Sequence, residues 1–286
     1  MTAEQAFQAI SSVTDRQRGL VTAAQMERLG VDRADREELS RRGALTKLDW
    51  DVFEIVGSPT PPRYAYSYAA WLALRPTSFV WERPGAGTDL TADAVISHES
   101  AARAWGLGAP SPGRATLTAP EPLPAPRGVR VLVGTLRTDD VTVHQGLPVT
   151  IAHRTILDLV RSSTDHLELR GIITDAVRLD LVDLADLHRD LSLLADQFYF
   201  PATGPEFAGW FLPNLDDAAL SPRNARALDA LLAPAVGTAP DAGGVTGATA
   251  PQSGVAPGTG ATGEAGAGTL GESAAGEGRH RLGSAG

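Results

Sequence analysis

Within the 22 residues from Thr22 to Gly43 the sequence encodes two helices and the tight turn between them, and that constrains the N-terminal architecture more than any other feature. Thr22-Ala23-Ala24-Gln25 is a capping box: the Thr22 hydroxyl can accept the backbone N–H three residues on, while Gln25 reaches back to the cap. The helix it opens carries Met26 and Leu29 inward and meets Gly30, which tolerates a left-handed backbone and stops it. Asp32 is a second N-cap. Arg33 to Arg42 makes the next helix, with Leu39 as its main inward residue and Gly43 as its end. Two short helices around a glycine-containing turn form a helix-turn-helix. Upstream, Ala3, Phe7, Ile10 and Val13 at helical spacing predict an amphipathic helix over 3–13. Downstream, alternation over 44–56 predicts two strands turning near Asp49-Trp50-Asp51. Helix, helix-turn-helix, hairpin is the order of a winged helix, assigned here to residues 1–57. The Pro-rich run over 58–63 reads as a linker.

Residues 64–236 read as a mixed α/β domain. Tyr64, Tyr68, Trp71 and Leu72 predict a helix over 64–74, and Pro84-Gly85-Ala86-Gly87 a loop. Ser97 is expected to cap a helix reaching Trp105, and Thr150 a helix from Ile151 to Val160. Strands are predicted at Ala115–Ala119, Gly128–Gly134, Val141–Val143 and Leu147–Val149. A helical region spans 166–196; the aromatic residues from Phe198 to Phe211 close the ordered part, with a last helix over 223–233. Residues 237–286 hold 15 of the 30 glycines and no Phe, Trp or Tyr. A segment so poor in large apolar groups cannot offset the entropy of ordering its backbone, so a disordered Gly/Ala-rich tail is expected. The fold class is therefore α/β (α+β): a winged helix-turn-helix, a mixed α/β domain and a tail.

The chain has no cysteine, which excludes disulfides, thiolate zinc sites, iron–sulfur clusters and a cysteine nucleophile. Met1 to Ser12 lacks the pattern of a signal peptide, and no stretch approaches a membrane span. A soluble cytoplasmic protein without membrane partners is the expectation. The net charge of -9 argues against coating nucleic acid over the whole surface. It leaves room for a local DNA-reading module.

In a winged helix the second helix of the motif lies in the major groove. Here it offers Arg33, Arg36, Arg41 and Arg42, with Lys47 on the hairpin. A guanidinium can bridge the two acceptors of guanine, and the remaining cations would sit on phosphates. Against this, residues 1–60 contain 8 basic and 10 acidic side chains, and Asp32, Asp35, Glu37 and Glu38 interleave with the arginines. That pattern also fits a solvated helix face or a protein-binding module.

Ser97-His98-Glu99-Ser100 places a serine beside a histidine, but no Gly-x-Ser-x-Gly elbow accompanies it. Arg154 and Asp158, four apart, are expected to form a structural ion pair or an interface contact. His144, His166, His188 and His280 show no metal spacing, and His-Glu-x-x-His is absent. Gly85-Ala86-Gly87 and Gly106-Leu107-Gly108 lack the lysine of a phosphate loop. No catalytic constellation, metal site or cofactor site is expected, and the chain is read as a non-enzyme.

Several stretches, in order over residues 15–165, resemble the AbiEi-type antitoxin family of bacterial abortive-infection, type IV toxin–antitoxin systems. They are Gly19-Leu20-Val21-Thr22-Ala23-Ala24-Gln25, Leu29-Gly30-Val31, Arg41-Arg42-Gly43-Ala44-Leu45, Ile96-Ser97-His98-Glu99-Ser100-Ala101-Ala102, Leu147-Pro148-Val149-Thr150 and Arg154-Thr155-Ile156-Leu157-Asp158-Leu159. The resemblance implies a winged helix that binds operator double-stranded DNA and represses its own operon. It implies a second domain that counteracts a nucleotidyltransferase-like toxin, and no enzymatic activity. Carried over, Arg33 and Arg36 would be recognition-helix residues, and Arg42 and Lys47 phosphate contacts. His98, Ser100, Arg154 and Asp158 match positions that mark the second domain and are given a structural role.

One departure stands out. Where the family commonly has a basic Arg-Gly-Val-Tyr-like wing, this chain has Asp49-Trp50-Asp51-Val52-Phe53-Glu54. Phe53 can fill the aromatic core position and Trp50 is read as structural, but two carboxylates at the tip would repel a phosphate backbone. The leading expectation is a DNA-binding transcriptional regulator, and the alternative is a protein-interaction module without useful DNA affinity.

Overall fold

The computed structural model describes residues 1–109, 113–162, 164–213, 215 and 219–233. The chain opens with helix α1 (Ala3–Thr14), where Thr2 accepts from the Gln5 N–H and the Gln5 side chain returns to the Thr2 N–H. Strand β1 (Leu20–Thr22), helices α2 (Ala23–Arg28) and α3 (Arg33–Arg41), and strands β2 (Leu45–Lys47) and β3 (Val52–Ile55) follow. Both predicted caps are present: Thr22 with Gln25, and Asp32, whose carboxylate accepts from the Asp35 N–H. Gly30 and Gly43 end the two helices at φ +79° and +72°, where a side chain would be strained. Period-two patterning does not reveal β1, because three residues hold no period. It pairs antiparallel with β3, Val21 opposite Phe53, and the sheet order is β1-β3-β2. This is the element order and sheet of a winged helix. Its core is Ala6, Ile10, Val21, Met26, Val31, Leu39, Leu45 and Phe53.

The segment expected as a linker is fastened down. The Ser58 and Thr60 hydroxyls both donate to the Arg18 carbonyl, and Thr60 is buried. Helix α4 (Pro62–Ala73) then packs Tyr64, Tyr68 and Leu72 into a core that also takes Leu20 and Val52 from the winged helix. One apolar core thus crosses the expected boundary, and residues Met1–Val236 form one compact unit. The expected tail, 237–286, lies outside the described residues.

The second sheet is built from β4 (Val95–Ile96), β5 (Ala115–Ala119), β6 (Val129–Val133), β7 (Val141–His144) and β8 (Leu147–Thr150), in the order β6-β5-β4-β8-β7. It is mixed: β5 runs parallel to β6, and β4 parallel to β8, while β4/β5 and β7/β8 are antiparallel. Its central strand, β4, has only two residues and no sequence signature. Helix α5 (His98–Trp105) follows it directly.

Two expected caps are corrected. Ser97 sits at the N-cap of α5, but its hydroxyl accepts from Thr118 Oγ1 at 2.9 Å and makes no cap bond. Ile151, not Thr150, precedes α6 (Ala152–Arg161), and the Thr150 hydroxyl bonds the Thr155 hydroxyl at 2.7 Å. Each hydroxyl is fully buried and takes the partner that strand and helix bring to it.

The predicted helical region over 166–196 divides into α7 (His166–Arg178), α8 (Leu184–Ser192) and α9 (Ala195–Phe198), followed by α10 (Gly204–Phe211) and α11 (Pro222–Leu232). These helices close a second apolar core around Ile156, Leu159, Ile173, Leu187, Phe207 and Phe211. Fully buried Asn224 ties it together. Its amide accepts from the Leu184 N–H at 2.9 Å and donates to the Val177 and Val182 carbonyls. No described helix is long and apolar enough to cross a membrane.

Candidate functional site

Between α3 and the β2–β3 hairpin runs an open groove of about 900 Å³, lined by Arg33, Arg36, Ser40, Arg41, Lys47 and Phe53, with Glu27, Glu37 and Asp51 among them. The helical period puts Arg33, Glu37, Ser40 and Arg41 on one face. Leu39, on the opposite face, is held in the winged-helix core. Phe53 is buried in that core, as its aromatic character suggested, with Lys47 Nζ 5.9 Å from the ring centroid.

Each of the five predicted cations is paired within the module. Arg33 donates to Glu37 at 2.8 Å with 86% of its side chain exposed. Lys47 lies 2.7 Å from Asp51, and Arg41 pairs with Glu38. Two residues sit differently from the expectation. Arg36 has only 11% of its side chain exposed and turns back on α2, bonding Glu27 and the Val31 carbonyl at 3.2 and 3.3 Å. It braces the helix-turn-helix from the groove floor. Arg42 leaves the groove altogether: it bonds Glu38 at 2.5 Å and lines a shallow depression with Ala3, Phe7 and Val56.

The pairing moves protonation equilibria in the sense of mutual stabilisation. The Arg42 hydrogen bond and the two nearby guanidinium groups hold Glu38 below its ordinary carboxylate value. The Lys47 bond does the same to Asp51, and the Glu37 bond raises Arg33. Glu38 is half-buried, whereas Arg33, Glu37, Lys47 and Asp51 are exposed, and exposed pairs of this kind are worth only ~0–1 kcal/mol.

The wing tip does not project freely. Trp50 and Asp51 both adopt left-handed backbone, at φ +56° and +54°. The Trp50 indole N–H donates to the Arg127 carbonyl at 2.7 Å, and its ring lies 4.9 Å from that of Tyr66 on α4.

In the larger part of the chain the remaining predicted residues are structural in their contacts. His98 begins α5 at φ +52°, with Nδ1 3.0 Å from Ser97 Oγ, and burial pushes its pKa down against the pull of Asp158 and Glu99. Ser97 is fully buried and offers no approach to a substrate. Ser100 Oγ accepts from the Thr116 N–H and from Arg103, both at 2.9 Å. Arg154 bridges Asp158 and Asp140, each at 2.8 Å, joining α6 to the turn before β7. Among the described residues no group of three or more His, Cys, Asp or Glu is placed to hold a metal ion.

One cavity has no sequence signal. About 430 Å³ in volume, it is lined by Arg16, Trp71, Trp81, Arg83, Leu90 and Asp93, with the Pro84–Gly87 loop and the β7–β8 hairpin completing its wall. Its residues come from segments far apart in the chain, which no local pattern can join.

No family model matches the chain, and no curated protein matches it. Among solved structures, the crystal structure of the RV2827C protein from Mycobacterium tuberculosis is similar, at 18% identity, over 82% of this chain and 83% of that chain, with a TM-score of 0.40. Likeness at that level decides nothing about function.

Proposed function

We propose that this protein is a cytoplasmic DNA-binding transcriptional regulator of the AbiEi-antitoxin type, whose winged helix binds operator double-stranded DNA and represses its own operon. The α/β domain would counteract a nucleotidyltransferase-like toxin. The observation that carries the DNA reading is the open groove beside α3, where Arg33, Arg41 and Lys47 are exposed and held only by surface carboxylates. On binding, phosphates and base edges replace those carboxylates. Arg33 and Arg41 are the base-reading candidates, Lys47 a phosphate contact, and Arg36 a brace. Arg42 is not assigned to the interface.

A second reading is favoured by the same ion pairs. A groove whose flanking cations, Arg33, Arg36, Arg41 and Lys47, are each paired with a carboxylate of the same module also suits a protein partner, and the net charge of -9 would face a basic one. A titration against the protein's own upstream DNA and a scrambled duplex, at two salt concentrations, separates the two. Tight, sequence-dependent binding that weakens with salt is expected. Absence of binding to either duplex leaves the protein-interaction reading in its place.

A further inference from the structure

The cavity around Trp81 has the size and chemistry of a small-molecule site. Its volume of about 430 Å³ falls in the range of pockets that enclose ligands. Its walls are largely apolar, from Trp71, Trp81, Leu90 and the proline and glycine backbone of the 84–87 loop. Its ionic groups are unbalanced: two cations, Arg16 and Arg83, against one carboxylate, Asp93.

That carboxylate is already satisfied. Buried Asp93 accepts from Arg83 Nε at 2.5 Å and from Arg75 Nε at 3.1 Å. Arg83 is itself buried, its guanidinium 3.6 Å from the Trp71 ring centroid, its Nη1 on the Trp71 carbonyl and its Nη2 without a hydrogen-bond partner among the described residues. Sealed within the wall and held by Asp93 and the Trp71 carbonyl, Arg83 is part of the frame of the cavity rather than its charge contact. At the rim, Arg16 has no carboxylate partner among the described residues; its guanidinium rests 4.1 Å from the Trp81 ring centroid. A guanidinium so placed is weakly hydrated and can turn to a carboxylate in a two-point contact.

We infer that this cavity binds a small aromatic monocarboxylate, its ring among Trp71, Trp81 and Leu90 and its carboxylate on Arg16. One unpaired cation matches one negative charge, which disfavours polyphosphates. The wall joins Arg16, just after α1, to the β7–β8 hairpin of the second sheet, so an occupant would touch both parts of the chain. The inference is independent of DNA binding and is tested without DNA.

The experiment is a titration of the full-length, ¹⁵N-labelled protein with 2-naphthoate, followed by the indole N–H resonances of its five tryptophans. Saturable shifts at Trp81 and Trp71 are expected, with Trp50, Trp105 and Trp210 unmoved. Because the charge contact sets the affinity, 2-naphthylmethanol, the same ring without the charge, should bind about tenfold more weakly, and Arg16→Gln should raise the Kd for the acid about tenfold. Arg16 is exposed, so the variant leaves the fold in place. Absence of a saturable Trp81 shift up to millimolar probe overturns the site. Equal affinity for acid and alcohol, or an unchanged Kd in Arg16→Gln, overturns the carboxylate assignment.

Discussion

The Trp50 indole N–H donates to the Arg127 carbonyl at 2.7 Å, fastening the tip of the β2–β3 hairpin to the loop ahead of β6. The hairpin is therefore not a free arm beside α3. Here its tip is committed to the rest of the chain, and the docking holds two non-glycine residues in a left-handed conformation that costs ~1–2 kcal/mol each.

Trp50→Ala removes that bond and the contact with Tyr66. The expected loss is about 2 kcal/mol, the sum of one hydrogen bond and a half-buried aromatic surface. Urea unfolding at neutral pH measures it. An unchanged midpoint would mean the tip is undocked in solution.

The ion pairs on α3 set the DNA prediction. Arg33→Ala or Arg41→Ala should cost ~1–3 kcal/mol on operator DNA and narrow the gap to scrambled DNA. Arg42→Ala, on the other side of the helix, should stay within ~0.5 kcal/mol of wild type. Glu37→Gln frees Arg33 and should tighten binding while steepening the salt slope by about 1. A titration series in which Arg42→Ala is the damaging change would place the interface on the wrong face.

A bidentate pair ties α2 to the turn after α4: Arg28 Nη1 and Nη2 reach the two oxygens of Glu82 at 2.6 and 2.9 Å, and the Phe79 N–H adds a third bond at 3.0 Å. The Arg28 hydrogen bond, then the Phe79 N–H, lower the Glu82 pKa from 4.5 to about 2. A carboxyl with a depressed folded-state pKa stabilises the fold above its unfolded value and loses that contribution as pH falls through the folded one. Wild type should therefore lose stability between pH 4.5 and about 2 by a component that Glu82→Gln lacks. Parallel acid limbs for the two proteins, read as denaturant midpoints against pH, would remove Glu82 from the account.

Asn224 satisfies three backbone groups of the α7–α8 connection from a fully buried position. Asn224→Ala strands them, at an expected ~3 kcal/mol. Asn224→Asp retains the acceptor for Leu184 but loses the donations to the Val177 and Val182 carbonyls and to the Asp180 carboxylate, so thermal melts should find it destabilised as well.

The Thr22–Gln25 capping box, the Asp32 cap, the glycine stops and the wing hairpin were legible because each is written in residues a few positions apart. The same holds for Arg33, Arg41 and Lys47, whose placement follows from helical and hairpin period. Arg42, nine residues from Arg33, is set on the opposite side by the same helical period, a consequence the reading of it as a phosphate contact left out. Arg36 was legible as a residue of the helix but not in its direction, because Glu27 on α2 draws it inward.

What the sequence determined alone is therefore the local frame of the N-terminal part: which residues start and stop the two helices of the helix-turn-helix, where the hairpin turns, and that the first 57 residues carry the element order of a winged helix. Tertiary structure alone decided the rest. Strands β1 and β4, of three and two residues, exist because β3 on one side and β5 and β8 on the other supply their hydrogen bonds. The 58–63 segment is held by Arg18, and Trp50 lies on Tyr66 and Arg127. The cavity at Trp81 assembles Arg16, Trp71, Asp93 and Pro148. Local signals reach about one helical turn along the chain, whereas these contacts join residues tens of positions apart, and only packing can choose among such partners.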